Sequence, residues 1–491
     1  MIVHDGPPSK RSKPTAIGYN ISLPNGSSCR VLGDRVLELK EQAQEQLQKP
    51  FLQLCSPGGC ILDPSEACDI YDDLQESATM TAIAEEPKVA ATNCAFSLWC
   101  AGGSRVVSWG HHESGGNAAG VMQSLANVVD MKATEHAFAA ILGSGKVVTW
   151  GDAESGGDSS MVQDRLQHVH KVFATYRAFA AVLEGGGVVT WGSAVHGGDS
   201  ASVQGLLTRV QHIVCTDSAF AAITADEKVI TWGNPACGGD SGTLQLHHVK
   251  HVQATKSAFA ALLGDGAVVA WGHSICGGST EPIAQVKTIL SATCAFAVAL
   301  PCGRVKVWGC DGNDVWYSCR NCVAASMKLR DIIDIFSTSN ALAALQRDGT
   351  ILSWRKESQE CKEIKGAVKL TGNSMSFAAI LADGCVETWG CPRNGGDCSH
   401  VQKQLCEVQD IVSTDCAFAA ICKSGRVVTW GNYACGGDSS QVQSKLQKDI
   451  QSLHATCRAF TAISKDGNII TWGHADYGGD SIDVLEQFRY L

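Results

Sequence analysis

Ala-Phe-Ala-Ala-Ile-Leu-Gly-Ser-Gly-Lys-Val-Val-Thr-Trp-Gly, residues 137–151, is the stretch whose reading decides the fold. Two apolar runs flank a glycine turn, and near-copies of the pair recur through most of the chain. The closing Trp-Gly, or Trp-Arg in one copy, falls at Trp109, Trp150, Trp191, Trp232, Trp271, Trp308, Trp354, Trp389, Trp430 and Trp472, with spacings of 41, 41, 41, 39, 37, 46, 35, 41 and 42. A fixed period near forty residues signals a repeat architecture. A full copy spans 169–210: a strand ending at Ala174-Thr175, a strand Ala178–Leu183, a tight turn at 184–187, a strand Val188–Trp191, and a Gly197-Gly198-Asp199 loop. Ser200, Val203, Leu206 and Val210 then predict a turn or two of helix leading into the next copy. Glycine in the turn between the two central strands supplies the positive φ that a tight hairpin needs.

One such unit cannot bury enough apolar surface to offset the entropy of ordering its backbone, so the units must stack and share a core. The expected fold is mainly β: a propeller-type repeat domain of about ten short blades, with a β-solenoid as the alternative. The tryptophans at 109, 150, 191, 232, 271, 308, 389, 430 and 472 are its packing anchors.

The first 86 residues do not repeat. Residues 1–14 are rich in Pro, Lys and Ser and read as a flexible tail. Residues 15–86 read as a small α+β domain, and 87–491 as the repeat domain. In the first domain, Ile17, Tyr19, Ile21 and Leu23 alternate up to an Asn25-Gly26 turn, and Cys29 to Leu32 forms the return strand. Val36, Leu39, Ala43 and Leu47 mark one face of a helix over 35–47. Leu52 to Cys55 and Met80 to Ile83 are further strands. This order resembles the ubiquitin-like β-grasp domain, with Asp63-Pro64 and Ile70-Tyr71 in its long loop. The resemblance implies binding through the sheet face, where Gln53 stands in place of that family's central isoleucine and Ile83 keeps an apolar edge position. The run Ala84-Glu85-Glu86-Pro87 continues into the repeats without a Gly-Gly end, so conjugation is not implied.

Ala-Phe-Ala-Ala, Asp-Gly, Val-Val-Thr-Trp-Gly and Gly-Gly-Asp together resemble the repeat of the regulator of chromosome condensation family over about 400 residues. That resemblance implies a β-propeller and a non-enzymatic scaffold or adaptor. Such repeats also occur in HECT ubiquitin ligases, which points to a ubiquitin-related pathway. No HECT module appears before Leu491, so its catalytic cysteine is not expected. The founding member's activity supplies an alternative, guanine-nucleotide exchange on a small GTPase. The implied partners are proteins, either ubiquitin-pathway components or a small GTPase.

Composition narrows the rest. Lys plus Arg is 39 against 49 Asp plus Glu, a net charge of −10 without long runs of one sign, which argues against nucleic acid or an anionic membrane as partner. No secretory leader or membrane span is read, so the chain is expected in the cytoplasm, with the nucleus as the other compartment. The 23 cysteines mostly occupy positions where sister repeats carry small residues, and read as reduced thiols.

No catalytic constellation is found, and neither an enzyme nor a cofactor is expected. The recurring loop acids Asp158, Asp199, Asp240, Asp397, Asp438 and Asp480 would, on one face, present a carboxylate ring to a basic partner. Their competing role is to cap the backbone that follows. Cys310, Cys319 and Cys322 hold a single C-x-x-C without a partner pair, which is too little for zinc. Around them Leu342 replaces Phe and Trp354-Arg355 replaces Trp-Gly, marking a degenerate unit or a seam. The threonines at 134, 175, 216, 255, 293, 414 and 456 recur too often to be catalytic and predict a structural hydrogen bond.

Overall fold

The computed structural model describes residues 18–33, 35–47, 49, 51–59, 62, 68, 74, 78–84, 86–100, 106–244, 246–309, 328–355, 361–484 and 487. The expected tail, the Asp63-Pro64 and Ile70-Tyr71 loop and the cysteines at 310, 319 and 322 lie outside them. The chain divides into two compact units at Pro87/Lys88.

In the first unit the strands β1 (Gly18–Ser22), β2 (Ser28–Leu32), β3 (Leu52–Cys55) and β4 (Thr79–Ala84) form one mixed sheet of order β2-β1-β4-β3. β1 and β4 run parallel while the outer pairs are antiparallel. Helix α1 (Val36–Leu47) turns Val36, Leu39 and Ala43 into a core with Tyr19, Ile21 and Met80. Alternation in the strands leaves Leu32 and Ile83 exposed among polar residues on the other sheet face, and Ile83 sits directly across from Gln53.

In the second unit the described residues hold ten antiparallel sheets, here blades 1 to 10, at 87–110, 128–151, 169–192, 210–233, 249–272, 289–309, 332–364, 367–390, 408–431 and 450–473. Each blade runs inner, middle and outer strand in chain order, and inner strands of successive blades lie side by side. The middle strand is covered on both faces by neighbouring blades, which is why it reads as an unbroken apolar run: Ala137, Phe138, Ala139 and Ala140 are all 0% exposed.

The Trp-Gly and Gly-Gly signatures act together as a latch between blades. Phe179 and Trp191 face each other across the middle and outer strands of blade 3, with ring centroids 5.2 Å apart. Gly156, in the loop after blade 2, lies on Phe179 so closely that a β-carbon there would stand 2.6 Å from the ring. The Trp191 indole N–H donates to the Gly156 carbonyl at 3.0 Å. Equivalent bonds join Trp150 to Gly115, Trp232 to Gly197, Trp271 to Gly238, Trp308 to Gly277, Trp430 to Gly395 and Trp472 to Gly436.

The same latch closes the ring. Trp109 of blade 1 donates to Gly478 after blade 10 at 3.2 Å, and a β-carbon on Gly478 would stand 2.6 Å from Phe96. A second closure runs around the axis. The backbone N–H of Asn93 donates to Glu135, Glu135 to Tyr176, Tyr176 to Asp217, Asp217 to Lys256 and Lys256 to Thr293. Ser339 continues to Ser374, Asp415 and Cys457, and Cys457 donates to Asn93 at 3.1 Å. Each repeat is therefore met by another on both sides, and the solenoid alternative, which leaves two open ends, is set aside in favour of a propeller.

Blade 7 resolves the irregular unit around Trp354. It carries a fourth strand, Cys361–Ile364, paired with the outer strand Ile351–Arg355 where blades 1 to 5 and 8 to 10 have the Gly-Gly loop. Without that glycine carbonyl, Trp389 of blade 8 donates instead to the Ser353 hydroxyl at 2.9 Å and is only partly buried. Among the described residues the axial bond from Thr293 to Ser339 is missing too. The seam of the ring thus lies at blade 7, not where the first and last blades meet.

The expected helix after the Gly-Gly-Asp loops is instead at most a short 3-10 turn, as at Gln204–Leu206. A left-handed residue such as His168 (φ 55°) and a bulge between Val169 and Lys171 then swing the chain into the next inner strand.

Candidate functional site: the mouth of the central channel

Eight of the ten inner strands end in a turn of pattern Thr-x-x-Ala, with Ala292 in the Thr position of blade 6 and Asn373 in that of blade 8. Thr134 shows the role of the recurring threonine: its hydroxyl donates to the Ser155 carbonyl at 2.9 Å, pinning the Gly-Gly loop to the turn. Thr175, Thr216, Thr255, Thr414 and Thr456 repeat this bond. Thr293 does not belong to the set, because Ala292 occupies the pinning position and Thr293 falls one residue later.

The residue after that pinning position faces the axis. From blade 1 to blade 10 it reads Asn, Glu, Tyr, Asp, Lys, Thr, Ser, Ser, Asp, Cys, so a constant scaffold presents a variable ring. These side chains line a cavity of about 1100 Å³. Its charged lining residues are Glu135, Asp217, Asp415 and Lys256, three acids against one base. Glu135 is held by the Asn93 amide at 3.0 Å and by Arg177 at 3.6 Å. Tyr176 is 50% exposed and offers an aromatic wall.

Burial pushes the Asp217 carboxyl up to about 6, with the Glu135 charge adding to it, while Lys256 and the Tyr176 hydroxyl pull it back. Asp415 opens onto the channel but is hemmed in by protein, and this loss of solvent raises its carboxyl, partly countered by Cys457 and Arg458. Burial likewise pushes the Cys457 thiol up to about 12, with Asp415 adding to it. The mouth therefore holds carboxylates that have given up water without gaining a full complement of cations.

The outer strands also run toward this face: Gly151 pairs with Ala137 beside the mouth turn, so the loop acids leave from the same end. Asp158, Asp199, Asp240, Asp397, Asp438 and Asp480 are all exposed on its shoulder. Each accepts from the backbone N–H two residues on, Asp158 from Ser160 at 2.9 Å and Asp480 from Ile482 at 2.9 Å. That bond holds the Asp158 and Asp397 carboxyls below the ordinary carboxylate range. At Asp158 and Asp397 the hydroxyls of Ser160 and Ser399 also bond to the carboxylate. These turns precede the short 3-10 segments rather than cap a helix.

No group of side chains among the described residues has the arrangement to hold a metal ion, and no described helix is long and apolar enough to cross a membrane. None of the described cysteines forms a disulfide.

No family model and no curated protein matches the chain. Solved structures to which it is similar include Prp20p from Saccharomyces cerevisiae, described with its binding to Gsp1p and histones, at 12% identity over 71% of this chain and 83% of that one, with a TM-score of 0.32. Human WBSCR16 aligns at 12% identity over 70% of this chain and 88% of its own, with a TM-score of 0.30. The ectodomain of the receptor kinase CR4 from Physcomitrella patens aligns at 12% identity over 59% and 76%, also at 0.30.

Proposed function

We propose that the protein is a non-enzymatic interaction scaffold whose channel mouth binds a basic segment of a partner protein. The observation that carries this reading is the set of desolvated carboxylates at Asp217 and Asp415, beside Glu135 and the exposed Tyr176. A lysine or arginine inserted among them supplies the missing cation, and Tyr176 packs on its stem or charge. The six exposed aspartates on the shoulder extend the same sign outward and steer such a segment in.

A lysine- and arginine-rich peptide is therefore expected to bind the full chain, and a peptide of the same length with glutamates in their place is not. Fluorescence anisotropy reads both. Asp217→Asn together with Asp415→Asn is expected to weaken binding about tenfold or more. Cation binding favours the ionised acid, so affinity is expected to fall about three- to tenfold as pH drops from 7.5 to 5 through the Asp217 value near 6. Equal binding of both peptides, or no response to the double substitution, would sink the reading.

The first unit supports placing this scaffold in a ubiquitin-related pathway. Its strand order β2-β1-β4-β3 with one helix supports a β-grasp reading, and Ile83, with Leu32, is an exposed apolar residue on its sheet face. Capture of ubiquitin receptors by the full chain, lost on Ile83→Glu, is the expected result, and no capture overturns this part alone. Guanine-nucleotide exchange has no observation among the described residues in its favour.

A further inference from the structure

The channel mouth carries a cluster that basic-segment binding does not use. Cys294, in the mouth turn of blade 6, lines the cavity and is partly exposed. The Cys276 thiol, buried in the loop after blade 5, stands next to it, and Lys256 lines the same cavity beside it. We propose that Cys294, Cys276 and Lys256 form a hydroperoxide-reactive thiol site that closes to a Cys276–Cys294 disulfide.

The chemistry balances within the cluster and one oxidant. The Cys294 thiolate attacks a peroxide oxygen, the O–O bond breaks, and the leaving hydroxide or alkoxide takes a proton. Cys294 is left as a sulfenic acid. Cys276 then attacks that sulfur, the S–O bond breaks, water leaves, and the two thiols have supplied the two electrons that reduced the peroxide. Cys294 is open to the cavity as the attacking group must be, while Cys276 needs no solvent access to resolve it.

The electrostatics agree with this division. Cys294 is lowered to about 6, first by the Cys276 thiol and then by the Lys256 charge, against burial and the Asp217 carboxylate. A second thiol pair, Cys416 in the mouth turn of blade 9 and Cys435 in the loop after that same blade, lies within one blade rather than between two, with Asp415 and Arg458 nearby. There burial pushes Cys435 up to about 11, and neither thiol lines the cavity. It serves as an internal control.

The same latch loop gives oxidation a structural consequence. Cys276 is followed directly by Gly277, which accepts from Trp308, so the disulfide ties the blade 5 latch to the mouth turn of blade 6.

The test is alkylation of the full chain by iodoacetamide at pH 6, followed by peptide mass spectrometry. At that pH a thiol with a pKa near 6 is about half thiolate against roughly 0.3% for an ordinary one, and its lower nucleophilicity takes back about tenfold. Cys294 is expected to react about tenfold faster than an unperturbed exposed thiol. Lys256 is a positioning residue: Lys256→Met is expected to move the pH midpoint of alkylation upward, and Lys256→Arg to restore it. Under hydrogen peroxide the Cys276–Cys294 disulfide is expected in non-reducing peptide maps, ahead of Cys416–Cys435. Cys276→Ser is expected to leave a Cys294 sulfenic acid that dimedone traps. Cys294 reacting no faster than the other thiols, or disulfides forming elsewhere while Cys294 stays reduced, overturns the proposal.

Discussion

Gly156→Ala is expected to destabilise the repeat unit by about 3 to 4 kcal/mol, more than a change of one methyl group costs almost anywhere else. Gly156 sits at φ +92°, a backbone region that costs an L-residue about 1 to 2 kcal/mol. The new β-carbon would stand 2.6 Å from the Phe179 ring, which is held from behind by Trp191 and cannot retreat. Shifting the ring to relieve the overlap adds about 1 to 3 kcal/mol of overpacking and loosens the indole bond to the Gly156 carbonyl. All 12 tryptophans of the chain lie within the repeats, so urea unfolding followed by tryptophan fluorescence reports this unit. Gly185→Ala is the matched control. Its β-carbon meets nothing within 4 Å, and its effect is expected to stay within about 0.5 kcal/mol.

Trp430→Ala is expected to cost about 4 kcal/mol. Trp430 is 0% exposed, stacks on Phe418 at 5.3 Å and donates to the Gly395 carbonyl at 3.0 Å. Truncation opens a cavity between two blades and leaves that carbonyl without its donor. Trp389→Ala provides the contrast, because Trp389 is partly exposed, donates to a serine hydroxyl and has Lys362 over its ring at 5.2 Å. About half the loss is expected there. Equal losses at both positions in the same urea assay would contradict the description of the blade 7 seam.

The repeat was legible because packing imposes it. Phe, Trp and the paired glycines recur because most blades present the same latch to their neighbour, and the departure at Trp354-Arg355 was enough to mark the irregular blade. The first unit was legible for the ordinary reasons of alternation, an Asn-Gly turn and a single helical face. Ring closure was not, since nothing in a period states whether the last copy reaches the first. The bond from Trp109 to Gly478 is made of the same residue types as every internal latch.

The left-handed residues ahead of the inner strands also escaped the sequence, because Asn127, His168, Arg209, Glu407 and others of unrelated type fill that position. Their conformation is imposed by the crossing from outer to inner strand. The channel mouth was missed for a different reason. Attention to what recurs selects the Gly-Gly-Asp loops, whereas the mouth is the second position of the Thr-x-x-Ala turn, which does not recur. Reading the repeats against each other for their most variable column would have found Glu135, Tyr176, Asp217, Lys256 and Asp415. The Cys294 cluster lies beside that column but is assembled from two different loops, so no single motif spells it.

Hydrogen exchange at the Cys457 amide tests the closed ring most directly, because that N–H donates to Asn93 and joins the last blade to the first. The account predicts protection equal, within about tenfold, to that of the Glu135 and Asp415 amides, which make the same bond inside the repeat. Exchange of Cys457 at the rate of an open chain end, with Glu135 and Asp415 still protected, would contradict it.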